Sequence, residues 1–220
     1  MQARAPLMIE HRLIERMLSV VGNVLKAIDS GRPVDPAFID IAVDSIRIDA
    51  DRTHHGKEED ILFRELEGKN MSAEHRRMMN ELIEDHVFGR RTTQVLVAAD
   101  ERYSNGEDSA IEDIAGLLRT LAEFYPEHIR KEDKEFFPAF QCYLKDEEDQ
   151  ELLAEFRKID QQMIHEEYKS LVIGLETGES RYSPDVKGLG TRLNNIKEAA
   201  QATLIDALEQ GFGPSRGEGR

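Results

Sequence analysis

Residues 54–63 read HHGKEEDILF and residues 128–137 read HIRKEDKEFF, which is one pattern, His-x-x-x-Glu-acid-x-x-apolar-Phe, written twice. Each copy is preceded by a further histidine at nearly the same interval: His11 lies 43 positions before His54, and His86 lies 42 before His128. An internal duplication of a helical hairpin is the simplest source of such a repeat. On a helix, a four-residue step turns about 40° and advances about 6 Å, so His54 and Glu58 share one face, as do His128 and Glu132.

Working outward, apolar residues at helical spacing predict a first helix over 7–29, with Leu7, Ile14, Leu18, Val21 and Leu25 on one stripe. Asp35 and Pro36 form a cap and first-turn pair that opens a second helix reaching Leu66. Ser72 caps a third helix to Tyr103, and a fourth runs from Ser109 to Leu144 with a kink expected at Pro138. The turns centre near residues 32, 70 and 106. Counted from them at about 1.5 Å per residue, His11, His54, His86 and His128 fall within roughly 3 Å of one level. The fold class expected is therefore all-α: an up-down-up-down four-helix bundle over 1–145 with two additional C-terminal helices. The acids Asp146 to Asp149 start the fifth, the sixth covers about 191–210, and the extension 146–211, packed on the bundle, precedes a flexible tail at 212–220.

All six residues lie on the inward stripes. Burying four imidazoles and two carboxylates without partners costs several kcal/mol each, a sum beyond ordinary domain stability. A pair of cations compensates them, and carboxylates are able to bridge two ions. Imidazole plus carboxylate without thiolate suits iron, manganese or zinc, and spacing does not choose among them.

HHGKEEDILF at 54–63, EDHVFGRR at 84–91 and EHIRKEDKEFFP at 127–138 together resemble the haemerythrin-like (HHE cation-binding) family. The order H…HxxxE…H…HxxxE covers residues 11–132. The resemblance implies a non-haem centre of two iron ions, oxo- or hydroxo-bridged, with His11, His54, His86 and His128 as terminal ligands and Glu58 and Glu132 as bridges. Oxygen carriers of this family have a further histidine four residues after the one on the third helix. Here that position is Arg90. The four-His, two-Glu set is more similar to stand-alone bacterial members that decompose hydrogen peroxide, and this catalase-like reaction is the leading expectation. Reversible binding or sensing of dioxygen or nitric oxide, and iron storage or iron-centre repair, are the alternatives.

Other residues carry less. His55 is expected to support the ligands from behind or to face solvent, because the second copy has Ile129 there, and His75 lies too far along its helix to join them. Gly89 implies close packing or room beside the metals, and Tyr125 core packing. Net charge −15 argues against a nucleic-acid surface. No apolar run of membrane length or signal-peptide core appears, and Cys142 is alone, so a cytoplasmic monomer or homodimer acting on a small oxidant is expected.

Overall fold

Five helical runs account for the chain from Arg4 to Thr177 in a computed structural model that describes residues 2–177, Pro33 and Asp35 apart. Helix α1 spans Arg4–Asp29. Run α2 is α-helical over Pro36–Ser45, π-helical over Ile46–His54, α-helical over His55–Lys57, π-helical over Glu58–Phe63 and α-helical over Arg64–Glu67. Helix α3 covers Ala73–Ser104, and the Ser72 hydroxyl accepts from the His75 N–H as its cap. Run α4 comprises Ala110–Lys131, a π-helical stretch Glu132–Phe136, an α-helical turn Phe137–Phe140 and a 3₁₀ turn Gln141–Tyr143. Helix α5 spans Asp146–Thr177. Among the described residues there is no strand, so the all-α expectation holds. Pro36 opens α2 as anticipated. Asp35, the sixth helix and the tail lie outside the described residues.

Gly31 and Gly106 close α1 and α3 with φ of 65° and 92°, a left-handed backbone that a Cβ disfavours. The turns that follow are short, and each bundle helix packs beside its sequence neighbours while α1 closes the ring against α4.

Between the helices lie two apolar clusters separated by a polar layer. One holds Ile14, Val21, Ile46, Ala50, Leu96, Leu118 and Tyr125; the other holds Leu7, Leu62, Phe63, Leu82, Phe136 and Phe140. Along α1 the chain passes from the second cluster at Leu7, through His11, to the first at Ile14. Along α2 it passes from the first at Ala50, through His54 and Glu58, to the second at Leu62. Helix α3 repeats the first order around His86, and α4 repeats the second around His128 and Glu132. Consecutive helices thus run in opposite directions, and every sequence-predicted ligand sits where its helix changes cluster.

The first turns of α5 extend the second cluster. Leu152, Leu153 and Phe156 are buried in it, each contributing about 1.5–3 kcal/mol by removal from water. Asp149 accepts the Ala3 N–H at 3.0 Å, and Asp160 pairs with the wholly buried Lys57 of α2. Residues 2–168 belong to one compact unit, which contains every side chain discussed below.

Candidate metal centre

His11, His54, Glu58, His86, His128 and Glu132 are all buried and meet in the polar layer. Both glutamates begin π-helical stretches, and His54 ends one. Stretches with this i→i+5 winding are common at functional sites. Glu58 presents Oε1 3.6 Å from His54 Nε2 and Oε2 3.3 Å from His86 Nε2. Glu132 presents Oε2 3.0 Å from His11 Nε2 and Oε1 3.3 Å from His128 Nε2 and 3.5 Å from His86 Nε2. Each carboxylate thereby directs one oxygen to each pair of histidines. Two donor groups result, His11 with His54 and His86 with His128, each completed by both glutamates and each compact enough to hold a metal ion.

The outer nitrogens are as regular as the inner ones. His11 Nδ1 lies 2.8 Å from Asp133, His54 Nδ1 2.9 Å from Glu10, His86 Nδ1 2.8 Å from Glu59 and His128 Nδ1 3.5 Å from Asp85. A cation backs every one of these carboxylates: Arg12 on Asp133, Lys57 on Glu10, Arg90 on Glu59 and Lys131 on Asp85. A carboxylate only accepts, so Nδ1 carries the proton and the Nε2 lone pair is left for a cation.

This chemistry shows in the proton affinities. Burial alone would lower the pKa of His11, but its hydrogen bond to Asp133 and the adjacent Glu132 carboxylate raise it to about 10. His86 is raised well above the usual value, against burial, by Glu132, Glu58 and Glu59. Burial would raise Glu132, yet the surrounding histidines, His128 first, hold it well below the carboxylate range. Positive charge is therefore favoured between these groups, and it can come from protons or from metal ions.

Geometry favours metal. His11 Nε2 and His54 Nε2 stand 2.9 Å apart, a contact that a proton on His11 bridges as a hydrogen bond and that a cation between the two nitrogens would replace. Two nitrogens at right angles around one cation, each bonded at about 2.0–2.1 Å, would be about 2.9 Å apart. Both oxygens of Glu58, both of Glu132, His86 Nε2 and His128 Nε2 are buried without a hydrogen-bond partner. Orphaned polar atoms of this kind cost about 1–3 kcal/mol each, more when charged, and all of them converge on the two donor groups.

Several sequence expectations need correcting. His55 is fully buried beside His86, its ring centroid 4.0 Å away, and does not face solvent. Arg90, which stands where oxygen carriers have a further histidine, grips the Glu59 carboxylate through both terminal nitrogens. Gly89 does not mark tight packing, since a Cβ there would meet Phe124, Asp51 and His55 at 3.6–3.9 Å, ordinary contact. Tyr125 is buried in the core as expected and also donates to Asp51 at 3.2 Å. His75 pairs with Tyr143, away from the site. Sequence reasoning missed Glu10, Glu59, Asp85 and Asp133, although each is the immediate neighbour of a ligand-type residue in the chain.

Two spaces approach the centre. A cavity of about 520 Å³ reaches Asp51, His55, Gly56, Glu59 and Arg90 on the His86 side. A smaller one of about 50 Å³, almost wholly apolar, is bounded by Ile14, Ala50 and Tyr125, each within about one turn of His11, His54 or His128.

An antiparallel helical bundle whose middle layer is a buried, carboxylate-oriented set of histidines and glutamates is a cation-binding bundle. The profile of the Hemerythrin HHE cation binding domain matches residues 5–140, and the chain belongs to that family. No curated protein and no solved structure matches it. Among the described residues no helix is long and apolar enough to cross a membrane.

Proposed function

We propose that His11, His54, Glu58, Glu132, His86 and His128 hold two iron ions and that the protein decomposes hydrogen peroxide. The observation that carries this reading is the disposition of the glutamates, one oxygen of each toward each histidine pair, which matches carboxylates spanning two cations. Bound there, an iron pair supplies Lewis acidity and a change of one electron per ion. Two peroxides then give two waters and one dioxygen with no outside reductant.

The chain's own residues set the conditions. The carboxylates on the four Nδ1 atoms keep the imidazoles in the metal-binding tautomer, and the apolar clusters above and below exclude bulk water. The small apolar cavity near His11 and His54 admits a small, weakly polar molecule. On the opposite side, burial raises the pKa of Asp51 despite the nearby Thr93 hydroxyl and the hydrogen bond from Tyr125, so this carboxyl at the wall of the larger cavity is suited to exchange a proton with solvent.

The size and apolar lining of the small cavity also favour a second reading, reversible binding of dioxygen or nitric oxide. An oxygen electrode separates the two. Iron-loaded protein given peroxide alone should release one dioxygen per two peroxides consumed. Protein with both irons bound that leaves peroxide untouched and forms a lasting, reversible dioxygen adduct when reduced would favour the second reading.

A further inference from the structure

The larger cavity, of about 520 Å³, is walled by residues of α2 and α3 and uses none of the six residues of the metal centre. Its volume is that of a small-molecule site, for which about 300–1,000 Å³ is usual. Arg47, Arg52 and Arg90 stand in its wall together with Asp51, Glu59 and Asp60, so its formal charges balance. With neither sign in excess, a neutral occupant is favoured over an ion.

The floor is polar and incompletely bonded. His55 and Thr93 are 0% and 2% exposed, yet neither His55 Nδ1 nor the Thr93 hydroxyl has a hydrogen-bond partner. His55 Nδ1 stands 3.5 Å from Asp51 Oδ1, a gap that a single oxygen at about 2.8 Å from each atom bridges. A hydroxyl suits that place, because it donates to a carboxylate and accepts from an N–H, whereas a carbonyl or carboxylate oxygen only accepts. The walls offer a different surface. Two guanidinium groups have their N–H edges on carboxylates, Arg90 on Glu59 through both terminal nitrogens and Arg47 on Asp44 through Nε and one terminal nitrogen. Left for an occupant are their flat faces and aliphatic stems, beside Val97 and the open side of Gly56. Such arginine faces stack on aromatic rings.

We propose that this cavity is a binding site for a small neutral molecule that carries a hydroxyl on an aromatic ring, a phenol in the simplest case. The hydroxyl rests among Asp51, His55 and Thr93, and the ring lies against the arginine faces. The site shares no lining residue with the small apolar cavity beside His11 and His54, and it does not rest on the two-iron reading. His55 is stacked on His86 with 4.0 Å between ring centroids. An occupant bonded to His55 is therefore one imidazole away from the metal centre and displaces none of its residues.

Calorimetric titration of the iron-loaded full chain with phenol tests this without an activity assay. Phenol should saturate at one per chain and give no visible charge-transfer band from phenolate on iron. Benzoate, which adds a charge, and cyclohexanol, which lacks the flat ring, should each bind at least about tenfold more weakly. A Cβ at Gly56 meets nothing within 4 Å, so Gly56→Leu fills the open space and also replaces a helical glycine. Saturable binding should be lost in that variant while its metal content stays native and its thermal midpoint does not fall. Thr93→Val removes one hydrogen bond of the floor and should weaken phenol about three- to tenfold. Phenol that does not saturate the native protein, benzoate that binds as tightly as phenol, or Gly56→Leu that binds like the native protein overturns the assignment. A phenolate band on iron places the ring on the metal instead and overturns it as well.

Discussion

Asp133→Asn changes one atom of the site and has a directional consequence. Asp133 Oδ1 lies 2.8 Å from His11 Nδ1, and Oδ2 pairs with Arg12. Arginine only donates, so in the variant the amide oxygen turns to Arg12 and the amide NH₂ to His11. His11 Nδ1 must then accept, and its proton moves to Nε2, the nitrogen 2.9 Å from His54 Nε2 and 3.0 Å from Glu132. A cation entering between His11 and His54 has to displace that proton. Carboxylates behind ligating histidines are worth about 10–100-fold in metal affinity, or about 1.4–2.8 kcal/mol. Asp133 touches only the His11 group, so one ion of the two should weaken and the other should not. Titration of the loaded variant with a chelator should therefore show one of the two steps moved by one to two decades and the other where it stands in the native protein. Equal weakening of both ions, or none, would refute the tautomer argument.

Three further outcomes follow from the same contacts. In the metal-free chain His11 has a folded pKa of about 10 against 6.5 when unperturbed, so its charged form stabilises the fold fully below pH 6.5, and that stability is lost as pH rises through 10. The thermal midpoint of metal-free protein should fall across that interval, and loading with metal at neutral pH should release protons into a weakly buffered solution; a flat profile contradicts this. Lys57→Met keeps the aliphatic stem but leaves Glu10 and Asp160 without their buried cation, at a cost of about 1–3 kcal/mol in urea unfolding, moderated because both acids reach solvent. Phe156→Ala removes a wholly buried ring where α5 meets the second cluster and should cost about 3–5 kcal/mol; a loss under about 1 kcal/mol would mean that α5 contributes little to the bundle.

The parts of the fold legible in the sequence were those written in repeated spacing. His54 to Glu58 and His128 to Glu132 show the shared face, and counting from three turns is enough to bring four histidines to one level. The same regular-helix assumption concealed His55. At α-helical spacing two adjacent histidines point about 100° apart and one must leave the centre, whereas π-helical winding before His54 lets both stay inside. The acids behind the imidazoles were hidden for a different reason. Glu59 and Asp133 follow the glutamates, and Glu10 and Asp85 precede two of the histidines, in stretches so rich in charge that each reads as part of a solvated face. Only the packing of α1 against α4 and α2 against α3 shows that Asp133 serves His11 and Glu59 serves His86. Arg90 was readable as the loss of an imidazole but not as the cation of Glu59, since that contact joins residues 31 positions apart.

The central claim is that two metal ions share Glu58 and Glu132, and anomalous scattering at the iron edge from crystals of the iron-loaded protein tests it most directly. Two peaks per chain are predicted, one between His11 and His54 and one between His86 and His128, with one oxygen of each glutamate against each peak. A single peak at full loading, or two peaks that do not share the glutamates, would contradict the account.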